Sequence, residues 1–573
     1  MPVHNSEIAA MFDHVADLLE IRAANRFRVR AYRNAANTVR DQSRSVADMV
    51  EDGDDLSELP DIGEDLAGKI AEIVQTGSLP LLEEISGEVP DAIVDATGIP
   101  GIGPKRAKAL FEELDLTSLD DLQQAAEEGR IADVEGFGDK TQSRIRAELA
   151  RGDLADRRFR LDVAEEFAEP LVEWIRGIDG VSKAIIAGSY RRRKETVGDL
   201  DILVAGEAGG DIIDRFTEYD EVDDIVSKGK TRSTVTLRSG LQVDLRVVPK
   251  PSWGAALYYF TGSKAHNIAG RRRAQERELK LNEYGLYDGR ERIAGATEEE
   301  VYKQIGLPWI HPVLRENRGE IESAEQDRLP ELVTLDDIRG DLHTHTQASD
   351  GKNSLREMAE AAMERGYEYL AVSDHSQSQQ VAGGLSESEL EAQIDEIDRL
   401  NETFDGFRLL KSCEVDIRED GTLDFPDALL KKLDVVVASV HSKLDLSKDA
   451  QTDRILRAID NPLVSMIGHP TGRLIGERRA YAIDIKRLIE AACDCGCFLE
   501  LNANPHRLDL DDVNCRMAKE HAVLVSIATD AHSTGGLGNM RRGVDQARRG
   551  WLSSGDVLNT RGWKDIADLL RRG

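Results

Sequence analysis

The chain has 573 residues, enough for about four domains at roughly 150 residues each. Its 74 Lys plus Arg against 107 Asp plus Glu leave a net charge of −33. That excludes a protein that coats DNA by general phosphate neutralisation, so nucleic acid would be held by local basic patches or backbone donors. Five cysteines in an odd count, with no paired CxxC motifs, give no disulfide framework. The acidity suits either a host with a salty cytoplasm or an ordinary acidic cytosolic protein. The start, Met1-Pro-Val-His-Asn-Ser-Glu, has no signal-peptide pattern, and no run of about 18 apolar residues suggests a membrane span. The expectation is a soluble, cytoplasmic protein with no membrane partner.

Residues 6–50 read as helices, with Ala9-Ala-Met-Phe12, Val15 and Leu18-Leu19 at helical spacing. A short pattern then recurs three times: Leu59-Pro-Asp-Ile-Gly63, Ile99-Pro-Gly101-Ile-Gly103 and Val134-Glu-Gly136-Phe-Gly138, each followed by a helical stretch. This is the helix-hairpin-helix pattern. A tight glycine turn lets a helix N-terminus aim uncharged N–H donors at a phosphate, a mechanism that suits an acidic chain. Glycine turns in a plain helical bundle are the competing reading.

Residues 155–180 read as a helix leading to a strand at Ala184-Ile-Ile-Ala187. After it come Gly188-Ser189-Tyr-Arg-Arg192-Arg-Lys194 and then Gly198-Asp199-Leu-Asp201. Asp199 and Asp201 are two apart on a strand, so both carboxylates project from one face. Asp244 lies in another apolar strand, Leu241–Val248. Aspartate is disfavoured in strands, so three need a reason. Three such carboxylates can hold two Mg²⁺ about 3.5–4 Å apart for in-line phosphoryl displacement. The Gly188–Lys194 run follows a strand and would open a helix, offering N–H donors, a hydroxyl and guanidinium groups to a triphosphate. Alone, it could be a solvated basic turn.

Residues 320–338 are polar and charged and read as a linker. From 339 onward strands and helices alternate, the mark of a parallel βα arrangement. Seven strands are counted, so a distorted barrel is expected rather than an eight-stranded one. Metal-type ligands fall at or near strand ends, where such barrels place their chemistry: His343, His345, Asp350, His375, Glu414, His441, His469, Asp530 and His532. These nitrogen and oxygen donors suit Mn²⁺, Zn²⁺ or Fe²⁺ rather than a structural cysteine site. Arg473, Asn504 and Arg507 near the same rim are candidates for substrate phosphate. The run Cys493-Asp-Cys-Gly-Cys497 reads as small residues at a helix–strand junction rather than a zinc site.

The run Gly188 to Asp201, with Asp244-Leu-Arg246, Tyr258-Tyr-Phe-Thr-Gly262-Ser and Leu281-Asn-Glu-Tyr284, resembles the family X DNA polymerases, related to DNA polymerase beta. The histidine-rich strands resemble the PHP (polymerase and histidinol phosphatase) domain appended to such polymerases in bacteria and archaea. The resemblance implies a multidomain fold. A small helical lyase-like domain with the first hairpin would span 1–85, and a helical fingers-type DNA-binding domain with two further hairpins 86–155. An α+β nucleotidyltransferase palm would span 156–250, a thumb 251–319, and a distorted (βα)7 PHP barrel 339–573.

It implies that Asp199, Asp201 and Asp244 bind the catalytic metals and that Asp244 helps activate the primer 3′-hydroxyl. Gly188, Ser189, Arg192 and Gly198 would shape the triphosphate site. Tyr259, Phe260 and Gly262 would pack on the sugar, Asn267 would touch the base edge, and Arg271 would face the template. The barrel would hold three metal ions. Two departures are Lys264, where the beta enzyme has an acidic residue, and Gln242, which replaces an arginine beside the third carboxylate. The Schiff-base lysine of the lyase domain maps to Lys69. A lysine nucleophile needs a lowered pKa, yet Glu64 and Asp65 would favour the ammonium, so a phosphate contact or a solvated charge is the competing reading.

The function expected is a DNA repair polymerase that fills short gaps with deoxynucleoside triphosphates (dNTPs). A PHP-domain 3′-5′ exonuclease or 3′-end-processing phosphoesterase would accompany it. Gapped or nicked DNA is the expected partner, the chain is expected to be a monomer, and ligase or other repair proteins are candidate associates. The alternatives are a phosphoesterase whose polymerase half only docks DNA, and a non-catalytic end-bridging scaffold. An RNA or small-molecule nucleotidyltransferase would share the glycine-serine and Asp-x-Asp motifs, but would lack a reason for the Tyr259–Gly262 run and three hairpins.

Overall fold

The computed structural model describes the chain except residues 1–4, 23, 41–45, 60, 77, 87–90, 97–101, 103, 117, 135–136, 139–140, 144, 147–157, 208, 477 and 571–573. Among the described residues, no helix is long and apolar enough to cross a membrane. Two compact units emerge. One holds the residues up to Arg158 with segments 263–272 and 316–319. The other holds Phe159–Gly262, Arg273–Arg315 and Glu320–Gly573.

The first unit is helical. Asn5–Ile21 and Arg26–Arg40 pack through Ile8, Phe12, Val15, Leu18 and Tyr32, all buried. Phe12 and Tyr32 meet edge to face at 5.6 Å, a favoured aromatic geometry. Helix Glu64–Thr76 starts directly after Gly63, whose carbonyl accepts the Ala67 N–H at 2.9 Å. The Gly138 carbonyl accepts from Thr141 (2.9 Å) and Gln142 (3.0 Å) in the same way. Gly101, Gly103 and Gly136 lie outside the described residues.

In the second unit, residues 159–262 build a five-stranded sheet under helix Leu161–Arg176. Its strands are β1 (Val181–Ile186), β2 (Asp199–Gly206), β3 (Val222–Lys228), β4 (Arg232–Leu237) and β5 (Gln242–Val248), in the spatial order β1-β2-β5-β4-β3. β5 shows the strand period: Val243, Leu245 and Val247 are buried in the core, while Gln242, Asp244 and Arg246 alternate on the other face. β2 and β5 run parallel with Asp201 opposite Asp244, and β4 runs antiparallel with Thr234 opposite the same aspartate. Helix Trp253–Thr261 follows. A Cβ on Gly254 would lie 2.1 Å from the Thr297 backbone, so only glycine permits that packing. Buried Glu298 ties the next elements back by accepting from Arg191 at 2.8 and 2.7 Å and from Arg315.

Part of the stretch read as a linker is packed. Glu320–Glu325 is helical with Ile321 and Ala324 buried, and Val333 enters the barrel core, its N–H donating to Leu552 at 3.0 Å.

The barrel has seven parallel strands in chain order: β6 (Gly340–Thr344), β7 (Tyr369–Val372), β8 (Arg408–Asp416), β9 (Val435–Ser439), β10 (Met466–Ile467), β11 (Phe498–Asn502) and β12 (Val525–Ala528). Their amino-terminal ends enclose Leu342, Tyr369, Leu410, Val435 and Phe498, packed on Leu558, Ile566 and Leu570, so the closing helix Trp563–Leu570 fills the barrel floor. Between β6 and β12 the His345 N–H donates to Ala531 at 2.9 Å and the Asp530 N–H to His343 at 3.0 Å. Deeper in this seam, buried Asn559 stands in for strand pairing. Its Nδ2 donates to the carbonyls of Gly340 and Ile527, each at 2.8 Å, and its Oδ1 accepts the Ile527 N–H at 3.0 Å. Asn559→Ala strands buried backbone groups that each cost about 1–3 kcal/mol. A loss of about 2–4 kcal/mol is expected, read as a lower urea midpoint of barrel unfolding. An unmoved midpoint would mean that the strands close the seam without it.

Candidate active sites

Asp199, Asp201 and Asp244 line one cavity of about 260 Å³ with Arg232, Arg246 and Phe260. The β2–β5 register places the carboxylates together on the face that the core leaves open. Burial, then the negative charges of Asp199 and Asp244, push Asp201 up to about 7. Such a cluster suits divalent cations, which neutralise what protons otherwise must. Asp244 is oriented by three donors: Thr234 Oγ1 at 2.5 Å and Arg232 Nη2 at 3.3 Å on one oxygen, Gln242 Nε2 at 3.0 Å on the other. Gln242, a departure from the family pattern, thus supplies one of these donors. Thr234 was not legible in the sequence as part of this site.

Gly188 sits at φ +58°, and a Cβ there would fall 2.3 Å from Asp201 Oδ2. The glycine lets the backbone reach the carboxylate. Ser189 is half-buried on the single turn Gly188–Arg191, and Gly198 directly precedes β2. Arg192 Nη1 donates to the Thr261 carbonyl at 2.9 Å. Tyr259 and Phe260 meet edge to face at 5.1 Å, Arg246 lies over the Phe260 ring at 4.6 Å, and Gly262 ends their helix. Asn267 and Arg271 stand one turn apart on Lys264–Glu276, where Arg271 Nε donates to the Asn267 carbonyl at 3.3 Å; both belong to the first unit. Lys264 is exposed. Lys69 pairs with Asp65 one helical turn away.

All nine proposed barrel ligands gather at the carboxy-terminal rim. Three interlocking groups arise: His345, Asp350, His375 and His532; His343, His345 and Asp530; His375, Glu414 and His441. Within each, the candidate ligand atoms lie within 4.8 Å of one another. Glu414 is the hub, 2.9 Å from His375 and His469, 3.3 Å from His441, 3.5 Å from His343 and 3.7 Å from His345. Nε2 of His343 and of His345 are 3.1 Å apart, and Nδ1 of His345 and of His469 is buried without a hydrogen-bond partner. Lone pairs crowded in this way call for cations. Burial opposes charge on His375, yet Glu414 and Asp350 hold it up to about 10; Glu414 and Asp416 likewise hold His441 up to about 9. Bound metal ions would displace those protons. Among the described residues, no metal-type grouping includes a cysteine.

The acids behind the ligands escape sequence reasoning. Glu500 Oε1 faces His343 Nδ1 at 2.7 Å, and Asp416 faces His441 Nδ1 at 2.7 Å. Carboxylates behind ligating imidazoles fix the tautomer and the ring orientation. Asp374 accepts from Thr346, Ser349 and Gln393, and Asp341 accepts from Thr529. The available signal was a buried acid inside apolar strands such as Phe498-Leu-Glu-Leu501. Arg473 is engaged within the protein. Its donors are committed to Glu195 (2.6 and 3.3 Å) and to the carbonyls of Arg507 and Leu508. Asn504 shapes a turn by accepting the His506 N–H, whereas Arg507 Nε stands 3.6 Å from Asp530.

Residues 3–79 match a helix-hairpin-helix domain and 93–151 a SAM-like helix-hairpin-helix tandem. Residues 162–238 match the DNA polymerase beta palm, 256–316 the DNA polymerase beta thumb, and 341–504 the PHP domain. The chain is 38% identical over 574 positions, covering both proteins in full, to the DNA polymerase/3′-5′ exonuclease PolX of Bacillus subtilis (strain 168). A probable phosphatase of Thermoanaerobacter sp. (strain X514) is 32% identical over 231 residues, 38% of this chain and 89% of that protein. Matched along its whole length, the chain belongs to the family X DNA polymerases that join helix-hairpin-helix domains and a beta-like palm and thumb to a carboxy-terminal PHP domain.

Proposed function

We propose that the chain is a DNA repair polymerase that fills short gaps and trims the 3′ ends it must extend. The observation that carries this reading is the pair of separate ligand sets, the three palm carboxylates and the nine barrel residues, eight in the metal-type groups and His469 on Glu414. Asp199, Asp201 and Asp244 would hold two Mg²⁺; His343, His345, Asp350, His375, Glu414, His441, His469, Asp530 and His532 would hold three ions of Mn²⁺, Zn²⁺ or Fe. When bound, such ions neutralise phosphoryl charge and lower the pKa of an attacking oxygen.

The rest is the work of the chain. Ser189 and Arg192 grip the triphosphate over the backbone of Gly188 and Gly198. Tyr259, Phe260 and Gly262 pack on the sugar, Asn267 meets the base edge, and Arg271 faces the template. Asp244, oriented by Thr234, Arg232 and Gln242, takes up the proton of the primer 3′-hydroxyl. The hairpins at Gly63, Gly101, Gly103, Gly136 and Gly138 hold the DNA backbone, with Lys69 contacting phosphate rather than forming a Schiff base. In the barrel, Glu500 and Asp416 keep His343 and His441 in the ligating tautomer. Arg507 steadies the substrate phosphate. The two activities serve one end, because the palm requires a clean 3′-hydroxyl. We place the protein in the cytoplasm as a monomer that hands nicks to a ligase.

The test is a gapped duplex with a labelled primer, in Mg²⁺ or Mn²⁺. Template-directed extension is expected with dNTPs, and 3′ shortening without them. Absence of template-directed incorporation would overturn the polymerase reading and favour the phosphoesterase with a DNA-docking half. The barrel's likeness to a probable phosphatase favours one variation, removal of a 3′-phosphate. Parallel primers ending in hydroxyl and phosphate separate the two.

A further inference from the structure

The loop that carries Arg192 continues into contact with the barrel. The carbonyl of Arg192 accepts from Arg549 Nη1 at 2.8 Å. Arg193 donates to Asp545 at 2.7 Å and to Glu165 at 2.6 Å. Glu195 accepts from Gln546 at 3.5 Å as well as from Arg473. Arg542, Asp545, Gln546 and Arg549 lie at positions i, i+3, i+4 and i+7 of helix Met540–Arg549, so they form one stripe. Such a stripe usually packs apolar side chains; here it is polar and bonded to the palm.

The fixation is tight. Arg549 is buried, and its Nη2 is held by Asp512 at 2.6 Å, so this guanidinium is braced from the barrel side. Arg193 stands at φ +56°, a left-handed backbone that arginine rarely adopts. Its side chain is locked between Asp545 and Glu165, and Glu165 also accepts from Arg541 at 2.7 Å and Arg542 at 2.5 Å. Arg192 is therefore pinned at both ends, its carbonyl by the barrel and its guanidinium by Thr261.

We propose that helix Met540–Arg549 of the barrel is a built-in part of the palm's nucleotide site, with Arg549 and Asp545 as positioning residues for Arg192. The inference rests on the assignment of Arg192 to the triphosphate. Neither residue would touch the nucleotide. Each sets the backbone from which Arg192 reaches it, and preorganised side chains bind with less loss of freedom.

The experiment uses the full chain with Arg549→Ala, Asp545→Asn and, as benchmark, Arg192→Ala. It measures dNTP KM and kcat on gapped DNA, and equilibrium binding of dNTP to the same DNA with a dideoxy-terminated primer. Release of 3′ nucleotides by each preparation reports an intact barrel. Arg549→Ala and Asp545→Asn are expected to raise KM and the dissociation constant about tenfold, with kcat within about twofold and 3′ release unchanged. Arg193→Ala combined with Asp545→Asn should be no worse than Arg193→Ala alone, because both break one contact. Unmoved KM and dissociation constant in variants that still release 3′ nucleotides would overturn the proposal. If Arg549→Ala loses both activities, Asp545→Asn, which keeps the side-chain volume, decides by the same criterion. If Arg192→Ala leaves dNTP binding unmoved, it is the assignment of Arg192 that fails.

Discussion

Asp244→Ala is expected to end primer extension while leaving 3′ degradation untouched. Asp244 shares a cavity with Asp199 and Asp201 and stands in direct register with Asp201 across β2 and β5. Removing it deletes a proposed metal ligand and the group proposed to take the primer proton. Metal-supported stabilisation of a phosphoryl transition state is worth several kcal/mol, so a fall of about a thousandfold or more is expected. The fold should survive, because the side chain lies on the sheet face away from the core. Single-nucleotide incorporation on gapped DNA gives the first number, and nucleotide release from a single strand gives the second. Extension at an undiminished rate would remove the palm from the chemistry.

The mirror experiment is Glu414→Gln. Five imidazoles lie between 2.9 and 3.7 Å from this one carboxylate. The amide keeps the volume but removes the charge that binds the groups together, and its NH₂ cannot ligate. Groups behind the ligands are worth about 10–100-fold in metal affinity or activity. A ligand shared by so many partners should therefore cost at least about 100-fold in 3′ release. Metal content by mass spectrometry should fall by at least one ion per chain, and gap filling on a clean 3′-hydroxyl should persist. Normal metal content with normal degradation would show that Glu414 is not the hub of the centre.

Much of both sites was legible because a polar ligand in an apolar strand has no structural reason to be there. Asp199, Asp201, Asp244 and the histidines of the barrel stand out in this way. What stayed hidden depends on contacts that sequence order does not display. Asn559 meets Gly340 across 219 positions, and Arg473 meets Glu195 across 278. Arg473 looked like a phosphate ligand because an arginine beside a metal rim has that chemistry, but its partner lies in the palm. Glu500 and Asp416 also sit in apolar strands, yet nothing local separates an acid that holds a ligand from one that is a ligand. The charged stretch 320–338 hid the buried face of Glu320–Glu325, because a short helix needs few apolar residues to anchor it.

The filled floor of the barrel governs traffic. With Leu558, Ile566 and Leu570 blocking the end opposite the ligands, a polynucleotide cannot thread through the middle of this fold. Whatever reaches the ligands arrives and leaves on the one open side.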